Sequence, residues 1–429
     1  MKGKSALMAG AAAVALVATA QAGYAGKGNS DGMSNSRPAA ATVSQEQYDQ
    51  LSQRMDSIES ELQASEIREA ADHDKVSAWK PVSGWWDNTS VSGRMYYDIT
   101  NVNNKHTYGG LTYTDTGNGT SFDIKRFYVG IDHTFDKTFS ANVTTDFLYD
   151  SGAGATQVYL KKAYLQAKFD DAFIVRVGSA DLAWVPFAED VYGYRYVENT
   201  LIDRVKSGTS ADWGVHFLGK FAGGMFGYQL SVVNGTGYKK PGFIGLTNRT
   251  NGVDFEGRIN FNYEGFQLAV GGYDGKLGAA HGATTYHTAQ RFDALAAYTA
   301  NNVRIGVEYF AGSNYTQVTS STASHAYGYS PFASWQFDPQ WSVFGRYDYV
   351  KPYSDTNRAA FHNDYYNIGI SYSPAKIVDF ALVYKHDAGT NGAFGDQNGT
   401  IGGTTSITPF AAGNSGTYNE IGLWGQLRW

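Results

Sequence analysis

Apolar and polar residues alternate along most of the chain, from Trp85 to the C-terminus. The segment "VRIGVEY" (303–309), for example, has apolar side chains at its odd-numbered positions and Arg, Gly and Glu between them. A period of two is typical of β-strands that have one apolar and one polar face. Short and long connections separate these segments in turn, which predicts antiparallel strands with tight turns at one end and long loops at the other. The pattern gives about sixteen strands of about ten residues each.

The connections between the predicted strands fall into two sets. The short ones lie at 135–138, 169–173, 221–226, 263–266, 299–302, 337–341 and 373–379. The long ones lie near 101–121, 150–157, 180–211, 234–252, 274–290, 311–326, 351–363 and 387–417. An even strand number with this asymmetry is typical of outer-membrane barrels.

The fold class predicted for 85–429 is therefore all-β, a transmembrane antiparallel β-barrel of about 16 strands. A soluble β-sandwich shows the same alternation and is the alternative. Closure follows from physics, because an unpaired backbone group in hydrocarbon costs several kcal/mol, so the sheet cannot keep a free edge there. Sixteen strands enclose a space too wide for side chains to fill, so the polar face is expected to line water.

The chain ends on "NEIGLWGQLRW", an alternating segment that stops at an aromatic residue. Since the last strand of a closed barrel pairs with the first, the chain can end inside the wall. We expect Trp429 to lie in the aromatic belt at the membrane interface. Together with Leu423 and Leu427 it resembles the recognition signal that outer-membrane proteins present to their insertion machinery.

The N-terminus has the pattern of a cleaved export signal at 1–22. Lys2 and Lys4 precede a short apolar stretch, and "AQA" ending at Ala22 has the small residues of a cleavage site. A membrane anchor is the alternative interpretation. No cysteine is present, so neither disulfides nor a lipid-anchoring cysteine is available.

Residues 23–43 are expected to be a flexible spacer and 44–72 a helix. Ser44 and Gln47 fit a capping box at the helix start. Apolar residues then recur at spacings of three and four, the seam of a coiled coil: Tyr48, Leu51, Met55, Ile58 and Leu62. One interpretation is a self-associating helix beneath the barrel, and the other is a single amphipathic helix that rests on a neighbouring surface.

Composition and charge narrow the function classes. The chain is 15% aromatic, with 31 Tyr and 50 Gly, and this favours strands because aromatic side chains fit a pleated surface. Processing after Ala22 would leave 32 basic and 40 acidic residues, so nucleic acid is not an expected partner. Zinc spacings, P-loops and nucleophile elbows do not occur in the sequence, so no cofactor, no metal and no enzymatic activity are expected. His216 with Asp212 is expected to be a solvated histidine rather than a hydrolytic pair.

Charged residues on the polar face are expected to point inward. They are Arg94, Arg126, Arg176, Lys220, Arg258, Arg304, Arg346, Lys385 and Arg428, with Asp98, Asp132, Asp146, Asp212, Glu256, Glu308, Asp348 and Glu420. One interpretation is a mixed lining of solvated ion pairs, each worth little. The other is a transverse field, with cations on one side and carboxylates on the other, that orients solutes and gives an anion track.

The connection 180–211 is long and aromatic, and loops of this length are usually functional or disordered. Five aromatic side chains between 184 and 196 argue that it packs against something, and the lumen is the available cavity. Folded inward, it would narrow the pore and present charged side chains to solutes, namely Glu189, Asp190, Arg195, Glu198, Asp203, Arg204 and Lys206. An external cap that packs on other loops is the alternative.

The stretch 175–221 resembles the matching segment of the phosphate-selective (O/P-type) porin family. The positions that carry the resemblance are Gly178, Pro186, Phe187, Asp203, Arg204, Asp212, Gly214 and Val215. The resemblance extends over about 80–429 and implies a sixteen-stranded trimeric channel whose third external loop folds into the pore. It adds an anion or phosphate preference to the expected function.

The sequence thus predicts an outer-membrane porin that lets small hydrophilic solutes or anions diffuse passively. Outer-membrane lipid or lipopolysaccharide and two further copies of the chain, in a homotrimer, are the expected partners. The alternative is a structural or conduit barrel that sheathes a partner protein in its lumen.

Two positions break the strand pattern. Lys161 lies on the apolar face, where a lipid-facing lysine at the midplane costs about 2–4 kcal/mol. A bulge, snorkelling or a subunit contact would each explain it. Pro331 cannot donate to a strand ladder, so a bulge or a later strand start is expected there.

Overall fold

The computed structural model describes residues 84–114, 117–150, 154–239, 250, 252–279, 282–315, 318–355, 362–390 and 415–429. The predicted export signal (1–22), spacer (23–43) and helix (44–72) lie outside the described residues and stay predictions.

One antiparallel sheet of seventeen strands accounts for most of the described chain. The strands are β1 (Thr89–Tyr108), β2 (Leu111–Thr114), β3 (Gly119–Thr134), β4 (Phe139–Asp150), β5 (Ala155–Lys168), β6 (Ile174–Asp181), β7 (Ala211–Phe221), β8 (Phe226–Val233), β9 (Asp254–Tyr263), β10 (Phe266–Gly275), β11 (Ala289–Ala300), β12 (Val303–Ser313), β13 (Ser324–Asp338), β14 (Trp341–Ser354), β15 (His362–Ala375), β16 (Val378–Thr390) and β17 (Ser415–Arg428). A 3-10 helix (Trp85–Asn88) precedes β1, and helices α1 (Val185–Tyr192) and α2 (Leu201–Arg204) lie between β6 and β7.

The sheet closes on itself. From β3 onward each strand pairs with its neighbour in sequence, β1 pairs with β3, and β1 pairs with β17 from Arg94↔Arg428 to Thr107↔Ser415. The short β2 pairs only with the end of β1, so sixteen strands form the wall. The prediction of a closed antiparallel barrel of about 16 strands is confirmed.

Connections of the two predicted kinds lie at opposite ends of the barrel. The seven short ones contain between two and five residues, such as the turn at 264–265, where Glu264 and Gly265 have positive φ. The eight long ones include 182–210 between β6 and β7. The end with the tight turns is called the short-turn end, and the opposite one is called the long-loop end.

Apolar side chains cover the outside of the wall and polar ones face the inside. Ile305 and Ile259 are 54% and 63% exposed, whereas Glu308 and Glu256 on the opposite face are 3% and 1% exposed. Because a soluble protein would bury the apolar face, this arrangement is the reverse of a β-sandwich.

Two β-bulges turn adjacent basic residues inward together. The β4–β5 register shifts between Thr144 and Thr145, so that Lys161 has no cross-strand partner. Its Nζ lies 3.2 Å from the Tyr128 hydroxyl on the inner face. A second register shift, between Tyr96 and Tyr97 of β1, leaves Lys125 of β3 without a cross-strand partner in the same way. Of the three explanations for Lys161, the bulge is the one found.

The expectation for Pro331 was wrong. Strand β13 begins at Ser324, before the proline, and its ladder with β12 includes Val307↔Pro331. The ladder with β14 skips Ser330 and Pro331 and resumes in the same register. The wall therefore accepts one missing N–H donor without a bulge, since the flanking pairs hold the register.

The C-terminal residue seals the joint between the first and last strands. Trp429 and Gly93 exchange backbone N–H···O bonds of 3.0 and 3.2 Å. The indole covers Gly93, where an added Cβ would overlap the ring, and approaches Phe127 at 5.6 Å. Trp429 stays 48% exposed and Leu423 40% exposed on the apolar face. Their role, with Leu427, in membrane insertion stays a prediction.

Candidate functional site: the barrel interior

The connection 182–210 packs against the inward faces of the wall. Its chain enters helix α1 through Trp184 and Pro186, and Pro favours the first helical turn because it has no N–H to lose. Gly193 ends the helix in a left-handed conformation, with φ 82°. The short helix α2 follows, and Ser210 returns the chain to the wall beside Leu182.

Apolar contacts hold one side of this loop against the wall. Trp184, Leu201 and Ile202 are fully buried and belong to one cluster with wall residues Phe310 and Phe332. A wall that alternates strictly would offer only polar side chains here, but Phe310 and Phe332 interrupt its polar face. The lumen is therefore partly filled with a dry core.

Two buried carboxylates accept hydrogen bonds from the loop. Glu308 accepts from the Trp184 indole Nε1 at 2.9 Å and from the Leu201 backbone N at 3.2 Å. Glu256 accepts from the Trp184 backbone N at 2.9 Å and from Arg291 Nη2 at 3.0 Å. Both carboxylates thus satisfy donors at helix starts, where backbone N–H groups lack partners.

Arg204 anchors the loop to the wall through three buried hydrogen bonds. Its guanidinium donates to Asp348 at 2.7 Å, to Asp387 at 2.9 Å and to Asn363 at 2.9 Å. Arg346 donates to both carboxylate oxygens of Asp348, at 2.7 and 2.6 Å, and also to the loop carbonyl of Asn199 at 2.6 Å. Charge-assisted bonds of this kind are about twice as strong as neutral ones.

A third anchor joins the loop to the seam of the barrel. Lys385 Nζ donates to the Val197 carbonyl at 2.8 Å and lies 3.3 Å from both Glu198 and Glu420. Beside it, Lys125 lies 3.1 Å from Asp98 of β1. The loop is thus tied to β16, next to the last strand of the closing joint.

Two wall arginines hold the ends of helix α1. Arg258 donates to the Ala183 carbonyl before the helix and lies over the Phe187 ring at 4.1 Å. Arg304 donates to the Tyr192 carbonyl at the helix C-terminus at 3.0 Å, where a cation is favourable. Neither arginine has a carboxylate within ion-pair distance in the described part of the chain.

The other side of the loop faces the inner surface of β1–β6. Arg195 pairs with Glu189 at 2.5 Å and with Asp203 at 3.6 Å. Asp190 and Lys206 are exposed. Partial desolvation inside the barrel raises the pKa of Asp190, and the neighbouring Glu189 carboxylate raises it further.

Three polar cavities adjoin the loop. One of about 850 Å³ lies between α1 and β5–β10 and includes Arg176 and Arg258. One of about 610 Å³ lies between the loop and β1–β6 and includes Arg94 and Lys162. One of about 430 Å³ lies at the short-turn end of β11–β17 and includes Arg304. The interior thus keeps open space, lined by charged side chains, on the loop's free side and beneath it.

The predicted pore-lining residues fall into two groups. Those that keep access to solvent are Arg94, Arg126, Arg176, Lys220, Arg258, Arg304 and Arg428. The others are Glu256, Glu308, Arg346, Asp348 and Lys385, at most 4% exposed. These five do not face open water in this structure, because the loop covers them and uses them as anchors.

The predicted constriction residues divide in the same way. Glu198 and Arg204 are buried against the wall, whereas Glu189, Asp190, Arg195, Asp203 and Lys206 remain on the free side. His216 was expected to be solvated, and this was wrong: it is fully buried, 2.9 Å from the Ser231 hydroxyl.

Several interior charges were missed by sequence reasoning. Arg291 bonds Asp293 at 2.8 Å and the loop carbonyl of Ser207 at 2.5 Å. Lys125 and Lys161 were missed because bulges reverse their direction. The available signal was a pair of adjacent basic residues, Lys-Arg at 125–126 and Lys-Lys at 161–162, inside strands that otherwise alternate.

The described residues contain no group of three or more His, Asp or Glu side chains placed to hold a metal ion. Among the same residues, no helix combines the length and apolar character that a membrane crossing requires.

The chain was compared with known proteins. No family model and no curated protein matches it. An anion-selective porin from Comamonas acidovorans superposes with a TM-score of 0.54 at 11% identity, over 80% of this chain and 100% of its own. The trimer form of OmpT, an outer-membrane protein of Vibrio cholerae, superposes with a TM-score of 0.52 at 11% identity, over 80% of this chain and 99% of its own. OmpF of Salmonella typhi, in complex with daunomycin, superposes with a TM-score of 0.51 at 14% identity, over 80% of this chain and 97% of its own. At these identities the similarity establishes a shared porin-like barrel fold.

Proposed function

We propose that this protein is an outer-membrane porin through which small hydrophilic solutes diffuse passively. The observation that carries the proposal is a closed sixteen-strand wall with apolar side chains outside and polar cavities inside. Such a wall is stable only where hydrocarbon surrounds it, because its exterior would otherwise expose a continuous apolar belt to water. The named porins with the same fold support this assignment.

Solutes would pass between the free side of the 182–210 loop and the inner face of β1–β6. On the loop side stand Glu189, Asp190 and Arg195, and on the wall side stand Arg94 and Lys162. Because the loop is anchored through buried ion pairs and an apolar core, it acts as a fixed constriction that selects by size and charge.

An anion preference is the finer part of the proposal. Four lumen arginines have no carboxylate within ion-pair distance in the described residues: Arg94, Arg176, Arg258 and Arg304. The lumen carboxylates of Asp146, Asp181 and Glu189 are paired with Arg126, Lys162 and Arg195, and only Asp132 and Asp190 of the cavity between the loop and β1–β6 have no cation within ion-pair distance in the described residues. Unpaired charge governs the potential along a pore, so anions would be favoured. The resemblance to phosphate-selective porins agrees with this direction.

A homotrimer in contact with outer-membrane lipid or lipopolysaccharide completes the proposal. The trimer form of the Vibrio cholerae protein with the same fold supports this state. The alternative, a conduit that sheathes a partner protein, fits less well because the chain's own loop occupies the lumen. An enzymatic role fits less well too, since the interior carboxylates are engaged in holding that loop.

Reconstitution in planar bilayers tests the proposal. Purified protein should give discrete conductance steps, and the reversal potential in asymmetric KCl should show chloride carrying more current than potassium. Absence of steps would overturn the channel function, and a cation-directed reversal potential would overturn the anion preference alone.

A further inference from the structure

A pocket of about 430 Å³ lies at the short-turn end of the lumen, between the 182–210 loop and β11–β17, and is called the rear pocket. Tyr194 and Tyr196 of the loop contribute to its lining. Hydroxyl and amide side chains from four strands contribute too, namely Ser334, Gln336, Ser342, Ser371, Ser373 and Gln426. The rear pocket therefore joins the loop to the inner faces of β13, β14, β15 and β17.

The rear pocket is closed toward the long-loop end. The next inward positions along β13, β14, β16 and β17 are apolar and at most 7% exposed, namely Phe332, Phe344, Ala381 and Trp424. They belong to the two clusters in which the loop packs on the wall. A solute that enters from the short-turn end meets this dry layer and cannot pass through it. The rear pocket is thus separate from the proposed solute route along β1–β6.

The charges of the rear pocket are largely neutralised. Asp379 pairs with Arg428 at 2.6 Å. It also accepts hydrogen bonds from the Gln426 amide at 2.7 Å and from the Ser373 hydroxyl at 2.5 Å. Arg304 is the remaining charged side chain of the lining. A lining with one free charge and many hydroxyls favours an uncharged polar solute over a polyanion.

Several groups of the lining have unused hydrogen-bonding capacity. In the described part of the chain, the Ser334, Ser342 and Tyr194 hydroxyls make no hydrogen bond to another residue. The Tyr194 ring stacks on Phe344, with the ring centres 4.0 Å apart, and stays partly exposed. A hydroxyl both donates and accepts, and an aromatic ring offers an apolar face. A sugar ring has the matching chemistry, with hydroxyls at its edge and C–H groups on its faces.

We propose that the rear pocket binds a saccharide from the periplasmic side, and that the bound sugar stabilises the 182–210 loop in its constricting position. Short turns face the periplasm in outer-membrane barrels, so the pocket opens to periplasmic solutes. Its volume lies within the range of about 300–1,000 Å³ found for small-molecule sites. The inference rests on the proposed channel function, because that function assigns the two ends of the barrel to the two sides of an outer membrane.

Binding and loop position are linked, because the loop supplies part of the rear pocket. Tyr194 and Tyr196 line the pocket while the loop packs on the wall. Arg304 also lines it, and donates to the Tyr192 carbonyl at the end of α1 at 3.0 Å. A ligand that binds only the packed state stabilises that state by mass action. The sugar would thus hold the constriction in place without entering the route of permeating solutes.

Calorimetric titration of the full-length protein with maltose, in a detergent without a sugar headgroup, tests the binding. Wild-type protein should give a saturable heat. Ser334→Leu and Ser342→Leu should each weaken the affinity about tenfold or more, because the larger side chain fills the pocket and removes a hydroxyl. Acetate is the second probe. Saturable binding of acetate but not of maltose would overturn the saccharide assignment in favour of a carboxylate bound by Arg304.

Ser140→Leu is the matched control, because Ser140 is an inward serine of β4 at the short-turn end and lies outside the rear pocket. Its affinity for maltose should stay within about twofold of wild type, since distant sites act independently. An equal loss of affinity in all three variants would overturn the pocket, and so would the absence of a saturable heat in wild type. Heat-modifiable mobility on gels confirms that each variant is folded before it is compared.

Hydrogen exchange of wild-type protein, read by mass spectrometry, tests the link to the loop. At a maltose concentration tenfold above its dissociation constant, amides of 182–210 that exchange through loop opening should exchange about tenfold more slowly. Ser334→Leu should show no such protection. Saturable binding with unchanged exchange would overturn the stabilisation of the loop.

Planar-bilayer recordings separate this inference from the channel function. Conductance steps without maltose binding would overturn the rear pocket and leave the porin assignment intact. Maltose binding with protection of the loop, but without conductance steps, would support the pocket and overturn the channel function alone.

Discussion

At the scale of single residues, the interior separates charges that hold the structure from charges that face solutes. Arg204, Arg346 and Lys385 are buried and saturated with carboxylates or carbonyls. Arg94 and Arg304 keep solvent access and lack carboxylate partners. Sequence reasoning placed both kinds on the polar face, but could not separate them, because the difference lies in what the distant 182–210 loop covers.

Asp190 is an exposed carboxylate that interacts electrostatically with three of the unpaired arginines, Arg94, Arg258 and Arg304. We predict that Asp190→Asn raises the chloride-to-potassium permeability ratio a few-fold, as removal of one charge near a protein surface is worth roughly 1 kcal/mol or more. Reversal potentials in asymmetric KCl measure the ratio. Glu264→Gln, at an exposed turn, is the control and should leave the ratio unchanged.

The Asp190 carboxylate should also make the anion preference of the channel depend on pH. Because the pKa of Asp190 is raised, it takes up a proton at a higher pH than a free aspartate as the solution is acidified. Anion preference in wild-type protein should therefore rise on acidification before ordinary carboxylates titrate. In Asp190→Asn this early rise should be missing. A wild-type profile identical to that of the variant would contradict the role of Asp190.

At the scale of elements, the loop 182–210 is pinned by Arg204 through Asp348, Asp387 and Asn363. We predict that Arg204→Met destabilises the loop by about 3–5 kcal/mol, because it removes the buried cation that bonds both Asp348 and Asp387. The wall should remain closed, since its strands pair independently of the loop. Single-channel conductance should rise and become noisier.

Limited proteolysis gives a second measure of this change, with new cleavage expected inside 182–210. Lys137→Gln, in a short turn, serves as the control and should match wild type in both assays. Conductance and cleavage identical to wild type in Arg204→Met would show that the apolar core alone holds the loop.

The seam between β1 and β17 depends on the slot that Gly93 leaves for the Trp429 indole. We predict that Gly93→Ala lowers barrel stability by about 1–3 kcal/mol, because an added methyl group overlaps the ring. The temperature at which the folded band disappears in heat-modifiability gels measures this. Gly257→Ala is the matched control, since its Cβ would meet only ordinary contacts at 3.7 Å and beyond.

Strands were predictable at this scale because each carries its own alternation and its own turn residues. The seven short turns and most of the long connections lie where the pattern of 85–429 puts them, but 101–121 contains the end of β1, all of β2 and the start of β3, and the connection predicted at 150–157 spans only 151–154. Bulges were not located in advance, since a register shift depends on the partner strand. The position of Lys161 on the apolar face indicated an irregularity but not that it was a bulge. The proline at 331 predicted a bulge or a later strand start, and the strand register there has neither.

At the scale of the whole molecule, closure decides the function. A sheet with apolar residues outside and polar residues inside requires hydrocarbon around it and permits water within it. The sequence was sufficient for this conclusion because strand number and loop asymmetry are properties of the entire chain. Solute preference could not be predicted from the sequence, because it depends on which interior charges remain unpaired after the loop has folded inward.

A water-filled barrel narrowed by its own loop is tested most directly by the single-channel conductance of the purified protein in planar bilayers under asymmetric KCl. We predict discrete steps, a reversal potential on the chloride side, and larger steps in Arg204→Met. Protein that inserts into the bilayer but carries no current, or whose steps are unchanged when the loop anchor is removed, would contradict such a barrel.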